Sequence, residues 1–468
     1  MPQTPPNDDA ALDRVLARID ANLPAALDRL KALLSIPSIS TDPAYRAGCA
    51  TAAEWLSADL AGLGFAARLD ATPGHPMVVA HTAGGEAPHV LFYGHYDVQP
   101  VDPLELWHRD PFDAQVEETP AGKVIRARGA ADDKGQLMTF VEACRAWIVE
   151  HGSLPVKVSI LFEGEEESGS PSLVPYLKEK GDDLKADLAM ICDTGMFDPR
   201  TPAITIMLRG LLGQEVIITG PERDLHSGMY GGAAMNPARV LVRILADLHD
   251  ADGRIQVPGF YDGVPELSDD LRAQWEKLGF DSAGFLGAVG LKHPAGETGR
   301  TALEQIWARP TCELNGMTSG YTGAGFKTVL PSNASAKVSF RLVSGQDPAR
   351  LRDAFQAFVR ARVPADCKVE FINHSAGPAS VMATDHPAFE AARQALSDEW
   401  PREAAFIGSG GSIPIAGYFK TILGMDSLLI GFGRDDDQIH SPNEKYDLES
   451  FHKGTRSWAR ILGALARA

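Results

Sequence analysis

The sequence predicts an α/β protein with a mostly parallel sheet covered by helices on both faces, and an α+β region inserted into it. Short apolar runs alternate with helical patterns up to about residue 208, and the alternation resumes after residue 385. Between them, the pattern has a β-α-β-β-α-β-like order, typical of a ferredoxin-like domain. We therefore predict a discontinuous domain over 1–208 and 386–468 and an inserted domain over 209–385.

The elements of the first region follow from the spacing of its apolar residues. Residues 8–35 have the helical period, and we predict a helix there that is broken near Pro24. Helices are also predicted over 51–63 and 136–150. Compact apolar runs predict strands over 77–81, 89–93, 124–127, 156–162 and 188–192.

The inserted and C-terminal regions are assigned in the same way. Alternating apolar residues predict inserted strands over 210–220, 334–343 and 368–373, and the helical period predicts inserted helices over 236–249 and 348–360. In the C-terminal region we predict helices from about 386 and 450, and strands over 404–407 and 427–432.

The composition argues against two classes of partner. The chain has 468 residues, with 44 Lys and Arg against 62 Asp and Glu, a formal net charge of −18. An acidic surface repels phosphate backbones and anionic lipids, so we expect no nucleic-acid partner and no membrane partner. No uninterrupted apolar run approaches the roughly 18 residues of a spanning helix.

The cysteines and the N-terminal residues predict the compartment. The five cysteines form no Cys-x-x-Cys pair, so neither a zinc–thiolate cage nor a disulfide framework fits. The first residues lack the basic segment and the apolar segment of a secretory signal. We therefore expect a cytoplasmic protein.

Two predicted strands lead into residues that often bind metals. One ends at His95 and Asp97, and a second leads to Asp132 and Asp133. Ligands of open α/β sheets gather at the carboxyl ends of the strands. Taken singly, His95 also fits a capped strand end, and the aspartates fit the first turn of a helix.

Other strand ends supply further carboxylates and a second histidine. One strand runs into Glu165-Glu166-Glu167, whose like charges need either solvent or a bound cation. Asp193 and His440 follow two other strands. Two histidines and three carboxylates, one of them from the glutamate run, are the set expected for a pair of zinc or manganese ions. Such a pair shares a water, lowers its pKa towards ~7 and polarises a carbonyl.

Five motifs follow one another along the chain: GHYDVQP, RGAADDKGQ, EGEEESGS, DLHSGMYGG and HSPNEK. Together they resemble the M20 family of metallopeptidases, and within it the cytosolic non-specific and carnosine-type dipeptidases. The resemblance covers nearly the whole chain. It implies a dinuclear zinc aminopeptidase-like catalytic domain and an inserted lid and dimerisation domain. It also implies hydrolysis of dipeptides that have a free C-terminal carboxylate, through a water that bridges two divalent metal ions.

The resemblance also implies the metal ligands. Two ions per subunit, Zn²⁺ or Mn²⁺, would share five residues: His95 and Asp193 for one ion, Glu167 and His440 for the other, and Asp132 for both. The peptide bond between Asp132 and Asp133 would be cis.

Two further carboxylates receive roles from the same resemblance. Glu166 would be the general base, which takes a proton from the water and passes it to the leaving amine. Asp97 would orient His95. The family usually has an apolar residue before the glutamate pair, whereas this chain has Glu165. We align on Glu-Glu-Ser-Gly, which leaves Glu165 either solvated or in a supporting position.

Substrate contacts are implied in the inserted domain. His226 would reach the active site of the partner in a homodimer and stabilise the oxyanion, and Thr328 would also be contributed across the dimer. Arg341 would grip the C-terminal carboxylate of the substrate. Without the resemblance, His226 also fits a turn and Arg341 a surface position. GSGGSIP lacks the Lys-Ser/Thr ending of a phosphate loop, so Gly411 and Ser412 are expected to contact a carboxylate.

Two other functions stay open. A deacylase of the same superfamily, which removes N-acetyl, N-succinyl or carbamoyl groups from amino acids, would use the same metal core. The long insert near 250–310 and the sequences of the motifs HYDVQP and GGSIP favour a dipeptidase. A non-enzymatic protein on the same scaffold is the third reading, and the complete ligand set together with Glu166 argues against it.

Overall fold

The structure is a computed structural model that describes residues 9–82, 88–411 and 413–467. The predicted substrate contact Ser412 lies outside these residues. Within the described ranges, no helix has the length and apolar character needed to cross a membrane.

The described residues form 18 strands and 12 α-helices. The strands are β1 (Ala66–Asp70), β2 (Met77–His81), β3 (His89–His95), β4 (Gln115–Thr119), β5 (Gly122–Arg126), β6 (Lys157–Glu163), β7 (Leu188–Ile191), β8 (Ala203–Leu208), β9 (Gly210–Thr219), β10 (Leu225–His226), β11 (Thr311–Ser319), β12 (Val329–Leu330), β13 (Asn333–Leu342), β14 (Lys368–Gly377), β15 (Ser380–Val381), β16 (Ala405–Ser409), β17 (Ser427–Leu429) and β18 (Lys445–Asp447). The α-helices are α1 (Asp9–Leu34), α2 (Arg46–Gly62), α3 (Lys134–His151), α4 (Leu173–Leu184), α5 (Ser227–Tyr230), α6 (Pro237–Ala246), α7 (Asp269–Lys277), α8 (Ser282–Gly287), α9 (Pro348–Arg360), α10 (Pro387–Glu399), α11 (Pro414–Tyr418) and α12 (Leu448–Leu465).

The described residues form two compact units. The first takes in the described parts of Met1–Ile206, Met382–Ile407 and Tyr418–Ala468. The second takes in those of Met207–Val381 and Gly408–Gly417.

The first unit is built on a sheet with the strand order β1-β2-β6-β3-β7-β17-β8. The pairs β6–β3, β3–β7 and β7–β17 are parallel, whereas the pairs nearer the edges are antiparallel. β3 and β7 are buried along almost their whole length, as expected for parallel strands that are covered on both faces. The predicted α/β class with a mainly parallel sheet is confirmed.

An aromatic core joins this sheet to its helices. Helices α1, α3 and α12 pack against one another, α10 packs on α12, and α3 also packs on β3. Phe92 of β3 stacks on Phe140 of α3 with 3.7 Å between the ring centroids, and Trp458 of α12 meets both rings edge-on at 5.5 Å. This packing fixes the C-terminal end of β3 relative to the start of α3, where the first candidate site residues lie.

Helix α1 continues through Pro24, so the predicted break is wrong. Proline removes one backbone N–H and strains the preceding turn. The helix persists because residues on both sides of Pro24 are buried on the same core: Val15, Leu16, Ile19, Ala26, Leu30 and Leu33. Tertiary packing of an apolar face outweighs the local cost.

The strand predicted over 124–127 lies in a different sheet from the one expected. It is β5, which pairs antiparallel with β4 and β18. Asp132 therefore follows no strand of the central sheet, contrary to the prediction, and lies just before α3 instead. An apolar run predicts a strand but does not say which sheet the strand joins.

The second unit has a four-stranded antiparallel sheet, within the described residues, in the order β11-β13-β9-β14. The chain order β9, α6, β11, β13, α9, β14 together with this sheet order is the ferredoxin-like arrangement that was predicted. Residues of β9 alternate between buried and half-buried positions. One face of the sheet carries a core with α6 and α9, which includes Leu212, Val216, Leu241 and Phe355.

Candidate metal centre

His95, the last residue of β3, is fully buried. Its Nδ1 lies 3.1 Å from the backbone oxygen of Asp97, and since a carbonyl oxygen only accepts, Nδ1 carries the proton of the neutral ring. Nε2 lies 3.0 Å from Oδ1 of Asp132 yet makes no hydrogen bond with any described residue. A buried imidazole lone pair beside a carboxylate is typical of a metal ligand.

Asp132 lies between two histidines. Its Oδ1 is 3.0 Å from Nε2 of His95, and its Oδ2 is 3.0 Å from Nε2 of His440. The peptide bond between Asp132 and Asp133 is cis, as the resemblance implied. A carboxylate that presents one oxygen to each side is suited to bridge two cations.

Glu444 positions the loop that carries Asp132, although it was not among the predicted site residues. Its buried carboxylate accepts hydrogen bonds from the backbone N–H groups of Gly129, Ala131 and Asp132, at 2.9–3.1 Å. It also accepts a hydrogen bond from Nη1 of Arg128, at 2.8 Å. A glutamate inside the HSPNEK motif, four residues after a predicted ligand, was the available signal.

Asp97 holds the turn that carries two of the glutamates. Glu166 and Glu167 begin a 3₁₀ turn after β6. Their backbone N–H groups donate to Asp97, at 3.2 Å to Oδ1 and 3.1 Å to Oδ2. Oδ1 of Asp97 also lies 3.4 Å from Nδ1 of His95. The carboxylate therefore faces both His95 and the glutamate turn.

Glu165 is not solvated. It is 3% exposed, and its two carboxylate oxygens accept the backbone N–H groups of His75 and Ser172, each at 3.0 Å. It therefore ties the loop around residue 75 to the segment before α4. Of the two positions that the sequence left open for Glu165, the structure shows the supporting one.

The described residues hold two overlapping groups of metal-type ligands that share Asp132. One group is His95, Asp132 and Asp193, and the other is Asp132, Glu167 and His440. Within each group the ligand atoms lie within 4.8 Å of one another. In the second group, Oε2 of Glu167 is 3.2 Å from Nε2 of His440. Four chain segments of the first unit that follow β3, those that carry Asp132, Glu167, Asp193 and His440, thus come together near its C-terminal end.

The charges of this site fit divalent cations. Burial and the charge of Asp132 raise the pKa of Asp193 well above its usual range. Burial also raises the pKa of Glu166 to about 7, and the neighbouring carboxylates add to the shift. Hydrogen bonds with Asp132 and Glu167 raise the pKa of His440 to about 10. Bound cations would keep the carboxylates ionised and would compete with the proton on His440.

A third acidic group is already neutralised. Asp436, Asp437 and Asp447 also offer oxygens within 4.8 Å of one another. Nζ of Lys445 donates to all three at 2.7–2.9 Å. An ammonium group occupies the position that a cation would need.

His226 and Thr328 lie side by side in the second unit. β10 pairs with β12, and the N–H of Ser227 donates to the backbone oxygen of Thr328 at 3.1 Å. Nδ1 of the exposed His226 accepts the N–H of Gly228 at 3.0 Å. The proton of the neutral ring is therefore on Nε2, which makes it a donor suited to an oxyanion.

Arg341 and Gly411 both lie near Arg209, also in the second unit. Arg341 is on β13 opposite Leu211 of β9. The backbone N–H of Arg209 donates to the oxygen of Gly411 at 3.1 Å. Burial and then the charge of Arg341 lower the pKa of Arg209 to about 10. In the sequence, Arg209 was only the first residue of the predicted inserted domain and not a predicted substrate contact.

The sequence matches one family and several curated proteins. Residues 91–464 match Peptidase family M20/M25/M40. The chain is 32% identical to the Cys-Gly metallodipeptidase DUG1 of Candida albicans, over 95% of each chain. It is 29% identical to the human Beta-Ala-His dipeptidase, over 100% of this chain and 94% of that protein.

Solved structures share the fold over nearly the whole chain. A metallo-carboxypeptidase of the M20 family, Sso-CP2 from Sulfolobus solfataricus, has a TM-score of 0.81 at 31% identity, and covers 95% of this chain and 99% of its own. The di-peptidase Dug1p from Saccharomyces cerevisiae has a TM-score of 0.78 at 28% identity, with 98% and 99% covered.

Proposed function

Because the chain belongs to Peptidase family M20/M25/M40 and is a peptidase hydrolase, we propose that it is a metal-dependent dipeptidase. Its substrates would be dipeptides with a free C-terminal carboxylate. The observation that carries the proposal is Asp132, whose two oxygens lie 3.0 Å from Nε2 of His95 and 3.0 Å from Nε2 of His440. That arrangement suits two cations held side by side.

The two ions would be Zn²⁺ or Mn²⁺, since mixed imidazole and carboxylate ligands suit both. His95 and Asp193 would hold one ion, Glu167 and His440 the other, with Asp132 shared. When bound, such ions supply Lewis-acid activation of water and of the scissile carbonyl.

Glu166 is the proposed general base. Its carboxylate would take a proton from the attacking water and return it to the nitrogen of the leaving amine. Asp97 supports this role because it accepts the backbone N–H of Glu166 at 3.2 Å and so fixes the turn from which that carboxylate projects.

Arg341 and Gly411 would bind the C-terminal carboxylate of the substrate. A guanidinium suits a carboxylate because it donates two parallel N–H groups. The names of two relatives, a Cys-Gly metallodipeptidase and a Beta-Ala-His dipeptidase, supply the substrate class. Both of these dipeptides end in a free α-carboxylate.

The inserted domain, 209–385, is proposed to form a homodimer. His226 and Thr328 would then enter the active site of the partner, where Nε2 of His226 would donate to the oxyanion. The backbone hydrogen bond from Ser227 to Thr328 supports a joint role for His226 and Thr328, because it holds the two chain segments next to each other. A cytoplasmic location is proposed as well, and the five buried, unpaired cysteines agree with it.

A hydrolysis screen tests the function. Metal-free protein receives Zn²⁺ or Mn²⁺ and is offered Cys-Gly, β-Ala-His, a tripeptide and an N-acetyl amino acid. We expect dipeptide hydrolysis that needs the metal and that Glu166→Gln abolishes. Faster cleavage of the N-acetyl amino acid than of every dipeptide would favour the deacylase instead.

A further inference from the structure

Two arginines of the second unit face the same side of its sheet. Arg341 lies directly opposite Leu211, while the next residues along each strand, Leu342 and Leu212, are buried in the core on the other face. Arg209 precedes Leu211 by two residues, so along an extended chain its side chain lies on the same face as Leu211 and Arg341.

Arg209 is half-buried, and its guanidinium group faces two uncharged backbone oxygens. Nε donates to the backbone oxygen of Gly410 at 3.2 Å, and Nη1 lies 3.5 Å from that of Gln305. Among the described residues, neither Arg209 nor Arg341 has a carboxylate within salt-bridge distance, whereas Arg309 of the same unit pairs with Glu297 at 2.9 Å. Burying a cation without an anionic partner is costly.

The acidic group that acts on Arg209 is Glu313, and it does not neutralise both arginines. Glu313 raises the pKa of Arg209, while burial and Arg341 lower it more, to about 10. Glu313 is exposed and lies on β11 beside the strand that carries Arg341. Two guanidinium groups against one exposed carboxylate leave about one positive charge to be neutralised.

We propose that Arg209 and Arg341 together form the recognition site for the α-carboxylate of the substrate, with Arg209 as a specificity-determining residue. This inference rests on the proposed function, because it takes the ligand to be a peptide with a free C-terminus. Nε of Arg209 also donates a hydrogen bond to Gly410, which ties Arg209 to the Gly408–Gly411 loop. The guanidinium group of Arg209 and the backbone of this loop would therefore contact the same carboxylate.

Two substrates that differ only in the C-terminal carboxylate test whether Arg209 recognises that group or only supports the loop. The dipeptide hydrolysed fastest in the screen is compared with its C-terminal amide, which lacks the negative charge. In the wild type the dipeptide should have the higher kcat/KM. Arg209→Gln, which removes the charge and keeps a donor, should reduce that preference at least about tenfold, the effect expected for one charge-assisted hydrogen bond. Arg209→Lys should restore part of it.

Matched measurements keep the result interpretable. Arg239→Gln, at an exposed position of α6, should leave both substrates unchanged. In a Glu166→Gln background, calorimetric binding of the same two ligands should show the same loss of preference without turnover. Equal losses for the dipeptide and the amide in Arg209→Gln would mean that Arg209 only supports the loop, and would overturn the inference. An unchanged preference would overturn it as well.

Failure of the proposed function is distinguishable from failure of this inference. If the wild type cleaves N-acyl amino acids and not dipeptides, the proposed function is wrong. The comparison then uses the N-acyl amino acid and its amide, because that substrate class carries the same α-carboxylate. Loss of the charge preference in Arg209→Gln would still support the inference, and its retention would refute it.

Discussion

At the scale of single residues, the position of Asp132 depends on the carboxylate of Glu444, which is not one of the proposed metal ligands. Glu444 accepts hydrogen bonds from the N–H groups of Asp132, Gly129 and Ala131, so it fixes the backbone of the residue that is proposed to bridge the two cations. Arg128 neutralises this buried carboxylate at 2.8 Å. Loss of a supporting hydrogen bond of this kind typically lowers metal affinity by about 10–100-fold.

Glu444→Gln should therefore weaken metal binding by about 10–100-fold without removing a ligand. The glutamine amide would replace one accepting oxygen by an NH₂ group that faces backbone N–H donors. Because two donors cannot form a hydrogen bond with each other, the loop at Asp132 would shift. The affinity is measured by titrating metal-free protein in competition with a chelator. Glu449→Gln, at a half-exposed position on α12, is the control and should bind metal normally. Equal affinities in the two variants would contradict the role given to Glu444.

Glu166→Gln should keep the metal and lose about 10²–10⁴-fold in kcat, because an amide fills the same space but takes no proton near neutral pH. The matched variant is Glu165→Gln. Glu165 accepts two backbone N–H groups, so its substitution should lower thermal stability and leave most of the turnover. An inactive Glu165→Gln beside an active Glu166→Gln would show that the register within the glutamate run is wrong by one.

At the scale of secondary structure, α1 shows how packing overrides a local signal. Pro24 lies in its interior and is exposed, while the apolar face before and after it is buried. The helix therefore keeps its direction although one backbone hydrogen bond is missing. The same face packs against α3 and α12, and α3 begins directly after the loop that carries Asp132.

Pro24→Ala should raise the free energy of unfolding by about 1–3 kcal/mol, since the change restores the missing N–H and removes little packing. Denaturant unfolding followed by circular dichroism measures it. Ala25→Gly, at the next exposed position, is the opposing control and should cost about 1 kcal/mol. A destabilised Pro24→Ala would show that the fold needs a bend at this position.

At the scale of the whole molecule, the proposed ligands belong to one unit and His226, Thr328, Arg341 and Gly411 to the other. The proposed function would therefore require residues of both units, either from one chain or from two. The homodimer proposed above assigns His226 to the neighbouring subunit.

Mixing two inactive variants tests this assignment. In an equal mixture of His226→Ala and Glu166→Gln, about half of the dimers are mixed, and one of their two sites holds both intact residues. About a quarter of all sites should therefore recover activity, measured after subunit exchange has been verified with labelled chains. No recovery after exchange would mean that His226 acts within its own chain. A fully active monomer by light scattering would also contradict the assignment.

The local sequence was enough to predict most of the elements and the class of the fold. Apolar periodicity is a property of consecutive residues, and it predicted β2, β3, β6, β9 and β13 and most of the helices close to their observed bounds. The same kind of local information failed at Pro24, where distant packing decides the outcome, and at β5, whose partner strands depend on the whole chain.

The side chains of the candidate site were named from motifs, but their arrangement depends on contacts across the chain. The sequence predicted the residue types at the proposed centre, because metal chemistry restricts them to a few. Only the tertiary structure decided that Asp132 precedes a helix, that Glu165 is buried in a backbone clamp, and that Glu444 supports the loop from more than 300 residues away. It also decided that Arg209 lies beside Arg341. Hydrogen bonds and buried charges join residues by distance in space, and spacing along the chain does not encode that distance.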